Sequence, residues 1–203
     1  MSALDNKKCS YIKKNKKVSF TFDGKKYSGY KGDTIASALL RNNVSLVARS
    51  FKYHRPRGIY TCGIEEPNAI VQILNEYNEP NTRATVKQIY EGMKVDSQNR
   101  WPSLNLDIGS VNNLLSPMFS AGFYYKTFMG PKGFWKKIYE PIIRRTAGLG
   151  KPPKKFRSKS IHQNHNVDIV IVGAGLSGLI AARKLIDTEY DVLLLEQDSF
   201  LGG

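Results

Sequence analysis

Acidic side chains are scarce in this chain: 17 Asp and Glu stand against 31 Lys and Arg over 203 residues, a formal charge of +14. Cysteine and histidine are scarcer still. The two cysteines, Cys9 and Cys62, make no disulfide scaffold. Of the three histidines, His162 and His165 lie far from His54, so the sequence places no partners for a three-ligand zinc site. No apolar run approaches a membrane span and the N-terminus has no secretory apolar core, which predicts a cytoplasmic protein with no membrane partner. The basic excess comes without a zinc finger, recognition-helix signature or RNP-like motif, so charge alone predicts no nucleic-acid partner. Nothing sets a nucleophile, base and orienting acid in readable order, and no catalytic residue is assigned.

What is present is concentrated near the end. Val167 to Val172 is a β-branched run that predicts a buried strand. It leads into Gly173-Ala174-Gly175-Leu176-Ser177-Gly178, then a helical pattern through Leu179, Ala182, Leu185 and Ile186, and a second strand, Val192 to Leu195, closed by Glu196 and Gln197. This is the dinucleotide fingerprint in its required context. Gly173 allows the tight turn, Gly175 lets the backbone approach a pyrophosphate, and Gly178 lets the helix pack close to the sheet. Glu196 stands where an acid takes a ribose 2′-hydroxyl, which favours NAD or FAD over NADP and leaves the choice between those two open. With only two strands before Gly203, the pattern is expected to be an incomplete Rossmann-type unit, the front portion of something larger.

The front of the chain reads differently. Lys7, Lys8, Lys13, Lys14, Lys16 and Lys17 suggest a solvated basic tail. Val18 to Phe22, a turn at Asp23-Gly24 and a return through Ser28 predict a hairpin, and Thr34 offers a cap for a short helix over Ile35 to Arg41. A hairpin followed by a helix opens a β-grasp domain. Residues 69–74 and 82–90 read as further strands, and Glu65 and Glu66 as ion-pair partners for nearby arginines. Between them, Arg49, Lys52, His54, Arg55 and Arg57 interleave with Phe51 and Tyr53, the chemistry of a phosphate or carboxylate site. Residues 101–135 are rich in aromatics and broken by Pro and Gly, which suits a surface buried against another domain or subunit, or onto the same chain.

The stretch RSFKYHRPRGIYTCGIEEPNA, Arg49 to Ala69, resembles the N-terminal region of the alpha subunits of heterotetrameric sarcosine oxidases. The likeness continues through Ser97 to Pro102, Phe123 to Phe128, Tyr139 to Pro141, Ala147 to Gly150 and the glycine fingerprint to Gly202-Gly203. It implies an α+β fold: a cluster-free, ferredoxin-like β-grasp domain followed by the first βαβ of a truncated Rossmann-type domain. It also implies NAD bound by this subunit at Gly173, Ala174, Gly175, Leu176, Ser177, Gly178, Glu196, Gln197 and Gly203. FAD and FMN would be carried by the partner beta subunit, with smaller gamma and delta subunits completing the complex. The implied reaction turns sarcosine, O2 and tetrahydrofolate into glycine, H2O2 and 5,10-methylenetetrahydrofolate, and the basic loop would lie near the interface or a flavin phosphate. A plant-type cluster needs four thiolates, and only Cys62 stands near the corresponding loop, so no iron–sulfur cluster is expected.

The expected organisation is a tail over 1–17, a β-grasp domain over 18–96, an aromatic connecting segment over 97–150, a basic linker over 151–166 and the incomplete dinucleotide domain over 167–203. By itself such a piece is expected to be inactive. A related opine or amino-acid dehydrogenase subunit, or a non-catalytic binding paralogue, are the alternative readings.

Overall fold

Asp23 and Gly24 both take positive φ, 48° and 76°, the two-residue turn whose twist matches that of antiparallel strands. They join β1 (Lys13–Phe22) to β2 (Lys25–Lys31), with Phe22 opposite Lys25 and Phe20 opposite Tyr27. In this computed structural model the described residues are 12–75, 78–114, 116–118, 130–146, 161–197 and 201–202. They fall in two compact units, Met1–Phe156 and Arg157–Gly203.

In the first unit a five-stranded mixed sheet runs in the order β2-β1-β7-β5-β6, with β5 Ile70–Ile73, β6 Glu79–Arg83 and β7 Met93–Ser97. Strands β1 and β7 are parallel, and β5 is antiparallel to both β6 and β7. Alternation decides what goes inside: Phe20, Phe22, Val71, Ile73, Met93 and Val95 point to one side and are buried against Ile35, Ala38 and Leu39 of α1 (Ile35–Arg41). This sheet and its crossing helix form the ferredoxin-like β-grasp domain. Helix α1 starts on a reciprocal cap in which Thr34 Oγ1 accepts from Ser37 N–H and Ser37 Oγ accepts from Thr34 N–H.

Two expectations need correction here. Strand β1 begins at Lys13 rather than Val18; Lys13, Lys14, Lys16 and Lys17 stay exposed on it, so their ammonium groups remain solvated. Residues 84–90 are not a strand. Their carbonyls cap α1 instead, Ala84 O accepting from Ala36 N–H and Lys87 O from Ile35 N–H, while Ile89 is buried beneath. The ladder position falls to β7, whose Met93, Val95 and Ser97 face inward.

A two-residue ribbon pairs β3 (Ala48–Arg49) with β4 (Pro56–Arg57) across the basic loop. Beyond the sheet, a 3-10 stretch covers Ile108–Asn113, and a π-helical turn over Trp135–Tyr139 runs into α2 (Glu140–Thr146). Part of the aromatic segment, 119–129, and most of the expected linker, 151–160, lie outside the described residues. The second unit is β8 (Ile169–Val172), α3 (Leu176–Leu185) and β9 (Val192–Leu195), the two strands parallel with Val172 opposite Leu195. Among the described residues no helix is long and apolar enough to cross a membrane.

Candidate functional site

The turn between β8 and α3 is built by its glycines. Gly173 has φ +95°, a conformation that side chains disfavour. Gly175 caps α3 with extended backbone and no side-chain hydrogen bond, so the first amides of the helix have no side-chain acceptor at that end. A Cβ on Gly178 would run into the carbonyl oxygen of Gly173, whereas one on Gly175 would meet nothing. The turn therefore closes tightly on the protein side at Gly178 and stays open on the outer side at Gly175. Leu176 and Ser177 open the helix exposed to solvent, and Ala174 is buried. The end of β9 completes the geometry: Glu196 Oε2 accepts from Ala174 N–H at 2.6 Å, and Oε1 accepts from Gln197 N–H at 2.7 Å. The chain returns once more at Gly202, whose N–H donates to Ala174 O at 2.8 Å. Gly203 lies outside the described residues. The residues present fit a dinucleotide diphosphate: helix amides without a side-chain cap, an open glycine face and a carboxylate at the end of the second strand.

The basic loop is organised another way. Arg49 forks onto backbone carbonyls, donating through Nε and Nη2 to Leu104 O and through Nη1 to His54 O. His54 sits at φ 52°, 5% exposed. Its Nδ1 is 2.7 Å from Asp107 Oδ2, and Asp107 Oδ1 accepts from Trp101 and Gly109 N–H. Gly109 lies so close to the imidazole that a Cβ there would overlap the ring. Arg55 Nε donates to Asn113 Oδ1 at 2.9 Å and its guanidinium lies over the Tyr53 ring. Arg49, His54 and Arg55 therefore staple residues 101–113 to the sheet domain, work that the sequence had offered to an anion. Lys52 and Arg57, with Phe51 and Asn68, line a cleft of about 400 Å³.

Glu66 also departs from expectation. It pairs with no arginine among the described contacts; its carboxylate is 1% exposed and accepts from the backbone N–H groups of Tyr60, Thr61, Asn68 and Ala69. Arg83 reaches only the Glu66 carbonyl. Cys62, in the loop so fixed, is a free and exposed thiol. Asp107 did not stand out in sequence, although it carries the Asx signal of a cap two residues ahead of Gly109; Glu66 did, but for an ion pair rather than for the backbone N–H groups it holds.

The family described as 2Fe-2S iron-sulfur cluster binding domain matches residues 15–100, and the NAD(P)-binding Rossmann-like domain family matches residues 171–203. The sarcosine oxidase subunit alpha of Rhizobium meliloti (strain 1021) is 50% identical over 209 residues, covering 100% of this chain and 21% of the relative. The chain is homologous to the N-terminal part of sarcosine oxidase alpha subunits. The alpha subunits of Corynebacterium sp. (strain U-96) and Corynebacterium sp. (strain P-1) are 26% and 27% identical, each over 95% of this chain and 15% of the relative. It thus spans about a fifth or less of the length of these alpha subunits. Within residues 15–100 the sequence holds one cysteine, Cys62, against the four thiolates of a plant-type cluster. Among the described residues no three His, Cys, Asp or Glu side chains gather as metal ligands.

Proposed function

We propose that this chain is the cofactor-orienting front portion of a sarcosine-oxidase-like alpha subunit, and that its second unit cradles the diphosphate of NAD. The observation that carries this reading is the turn itself, closed by Gly178 against the Gly173 carbonyl and open at Gly175 before uncapped helix amides. NAD, when bound, supplies a hydride-accepting nicotinamide. The chain's own share is positional. The amides from Gly175 to Ser177 face the diphosphate with the positive end of α3 behind them. Glu196 accepts from a ribose hydroxyl and, by its charge, disfavours the 2′-phosphate of NADP. Lys52 and Arg57 are the cations of the basic loop placed to meet a phosphate or an acidic partner surface, while Arg49, His54 and Arg55 hold the loop's shape.

In this reading the partner is a flavin-carrying beta subunit with FAD and FMN, accompanied by gamma and delta subunits, in the cytoplasm. The complex demethylates sarcosine to glycine, reduces O2 to H2O2 and passes the one-carbon unit to tetrahydrofolate. Within the second unit, Val170, Val172, Ile180 and Leu195 are exposed, which fits a sheet that further chain or a partner covers. The test is to co-express the protein containing this chain with the adjacent flavoprotein and assay sarcosine-dependent peroxide and co-purified NAD. The expected result is a flavin-bearing complex that retains NAD and loses it on Gly178→Val. Failure to associate with any flavoprotein, or undiminished NAD in the variant, would sink the reading.

A further inference from the structure

The segment stapled onto the sheet domain is firmly held, yet it hides few of its own apolar side chains. His54 and Asp107, 2.7 Å apart, are buried, and the Arg49 guanidinium is spent on Leu104 O and His54 O. Of the large apolar side chains over 101–114, Leu104 alone joins the core. Trp101, Leu106, Ile108, Val111 and Leu114 are 64%, 68%, 49%, 53% and 79% exposed. Exposed apolar side chains that cluster on one surface mark interaction sites.

Three of them make one stripe. Side chains three apart in a 3-10 helix eclipse one another, and Ile108, Val111 and Leu114 keep that spacing along the stretch Ile108–Asn113 and its C-cap. Trp101 stands at the head of the stripe, because Ile108 N–H donates to Trp101 O at 2.7 Å. Val111 and Leu114 also line a groove of about 350 Å³, shared with Tyr53, Arg55 and Pro56 of the basic loop. Arg55 is exposed and gives its Nε to Asn113 Oδ1, while its two terminal NH2 groups have no hydrogen-bond partner among the described residues.

We infer that this stripe and groove dock a second polypeptide, the flavin-carrying partner of the reading above, on which the inference rests. The partner face presents an apolar side chain to Val111 and Leu114 and a carboxylate to the terminal NH2 groups of Arg55. Charge selects the occupant: residues 97–118 hold one acid, the buried Asp107, and residues 49–58 hold none against Arg49, Lys52, Arg55 and Arg57. An acid-rimmed face complements that surface, whereas a second copy of a chain with charge +14 brings the same sign. A lipid surface would leave the exposed Asn105 and Ser110 side chains without the partners that a protein face can supply. Further chain of the same protein suits the second unit, whose sheet has no core of its own. The stripe is already fixed by buried bonds while bare, the preorganised state that lowers the cost of binding a separately folded partner.

The test is the affinity of the protein containing this chain for the purified flavoprotein, measured by calorimetry, with amide exchange followed before and after mixing. Exchange over 108–114 should slow on association. Val111→Asp and Leu114→Asp change exposed side chains, so each should leave exchange in the free protein as it was and weaken association at least about thirtyfold, the loss typical of a central anchor. Arg55→Gln should weaken it about tenfold and flatten its salt dependence, with Arg55→Lys closer to native. Native affinity in either Asp variant would overturn the inference and leave the dinucleotide cradle standing, since that is read separately from NAD retention in Gly178→Val. No association of the native protein would overturn both the inference and the proposed complex. Slow exchange over 108–114 in the native protein alone would assign the cover to its own chain and overturn the inference. Self-association, or binding to anionic phospholipid vesicles, that Leu114→Asp abolishes would assign the face to another occupant and overturn it as well.

Discussion

A carboxylate with 1% exposure, as at Glu66, persists in a fold only when its lone pairs are filled. Burial pushes the Glu66 carboxyl up, but the backbone N–H groups of Thr61, Asn68, Ala69 and Tyr60 push it down and prevail, so it ionises below its ordinary 4.5. A folded value below the unfolded one gives stability that is present above pH 4.5 and is lost as pH falls through the folded value. Glu66→Gln keeps the shape but turns an NH2 group toward N–H donors, and should cost about 2–3 kcal/mol at neutral pH in urea unfolding. The gap between native and variant should close in acid. Asp96 works the other way: burial and then Asp23 raise it, with Arg100 opposing, so its contribution holds below its ordinary 3.8 and is lost as pH rises through the folded value. Because Asp96 is common to both proteins, the difference between them isolates Glu66. A gap that stays constant with pH would show that the carboxylate charge is not what fixes the loop.

At the level of elements, the cap of α1 and the staple over residues 101–113 make separate predictions. Thr34→Ala removes the acceptor for Ser37 N–H and should lower stability by about 1 kcal/mol, measured by chemical denaturation. Asp107→Ala removes the acceptor shared by His54, Trp101 and Gly109, and should speed amide exchange across 101–113 while β1 and β7 keep their protection. Equal loss in both places would mean that the staple is part of the core. These two elements also mark the border of what the sequence discloses. The Asp23-Gly24 turn, the Thr34 cap and the fingerprint glycines are local chemistry, and each was readable because the backbone there tolerates few residues. Residues 84–90 were not, because their hydrogen bonds go to α1 rather than to a neighbouring strand, a choice made by tertiary packing. At the basic loop the partners were hidden for a similar reason: Arg49 and His54 take Leu104 and Asp107, more than 50 positions away, and only tertiary packing brings them together.

At the scale of the molecule the two units differ in how much they bury. The first has a continuous core from Phe20 to Leu104, whereas in the second Ala174 is the one buried side chain among the described residues. Val172 is 82% exposed and Val170 52%. A sheet without a core opens locally at little cost, so amides of β8 and β9 in the free chain should exchange roughly a hundredfold or more faster than those of β1 and β7. Comparable protection in both sheets would contradict this. The most direct measurement is a titration of the protein containing this chain with NAD, read from backbone amide chemical shifts. A diphosphate on the turn predicts saturable shifts at Gly173 to Ser177 and at Glu196, lost in Gly178→Val, with β1 to β7 unmoved. Saturable NAD binding that leaves those amides still, or that survives Gly178→Val undiminished, would show that the turn is not the cradle.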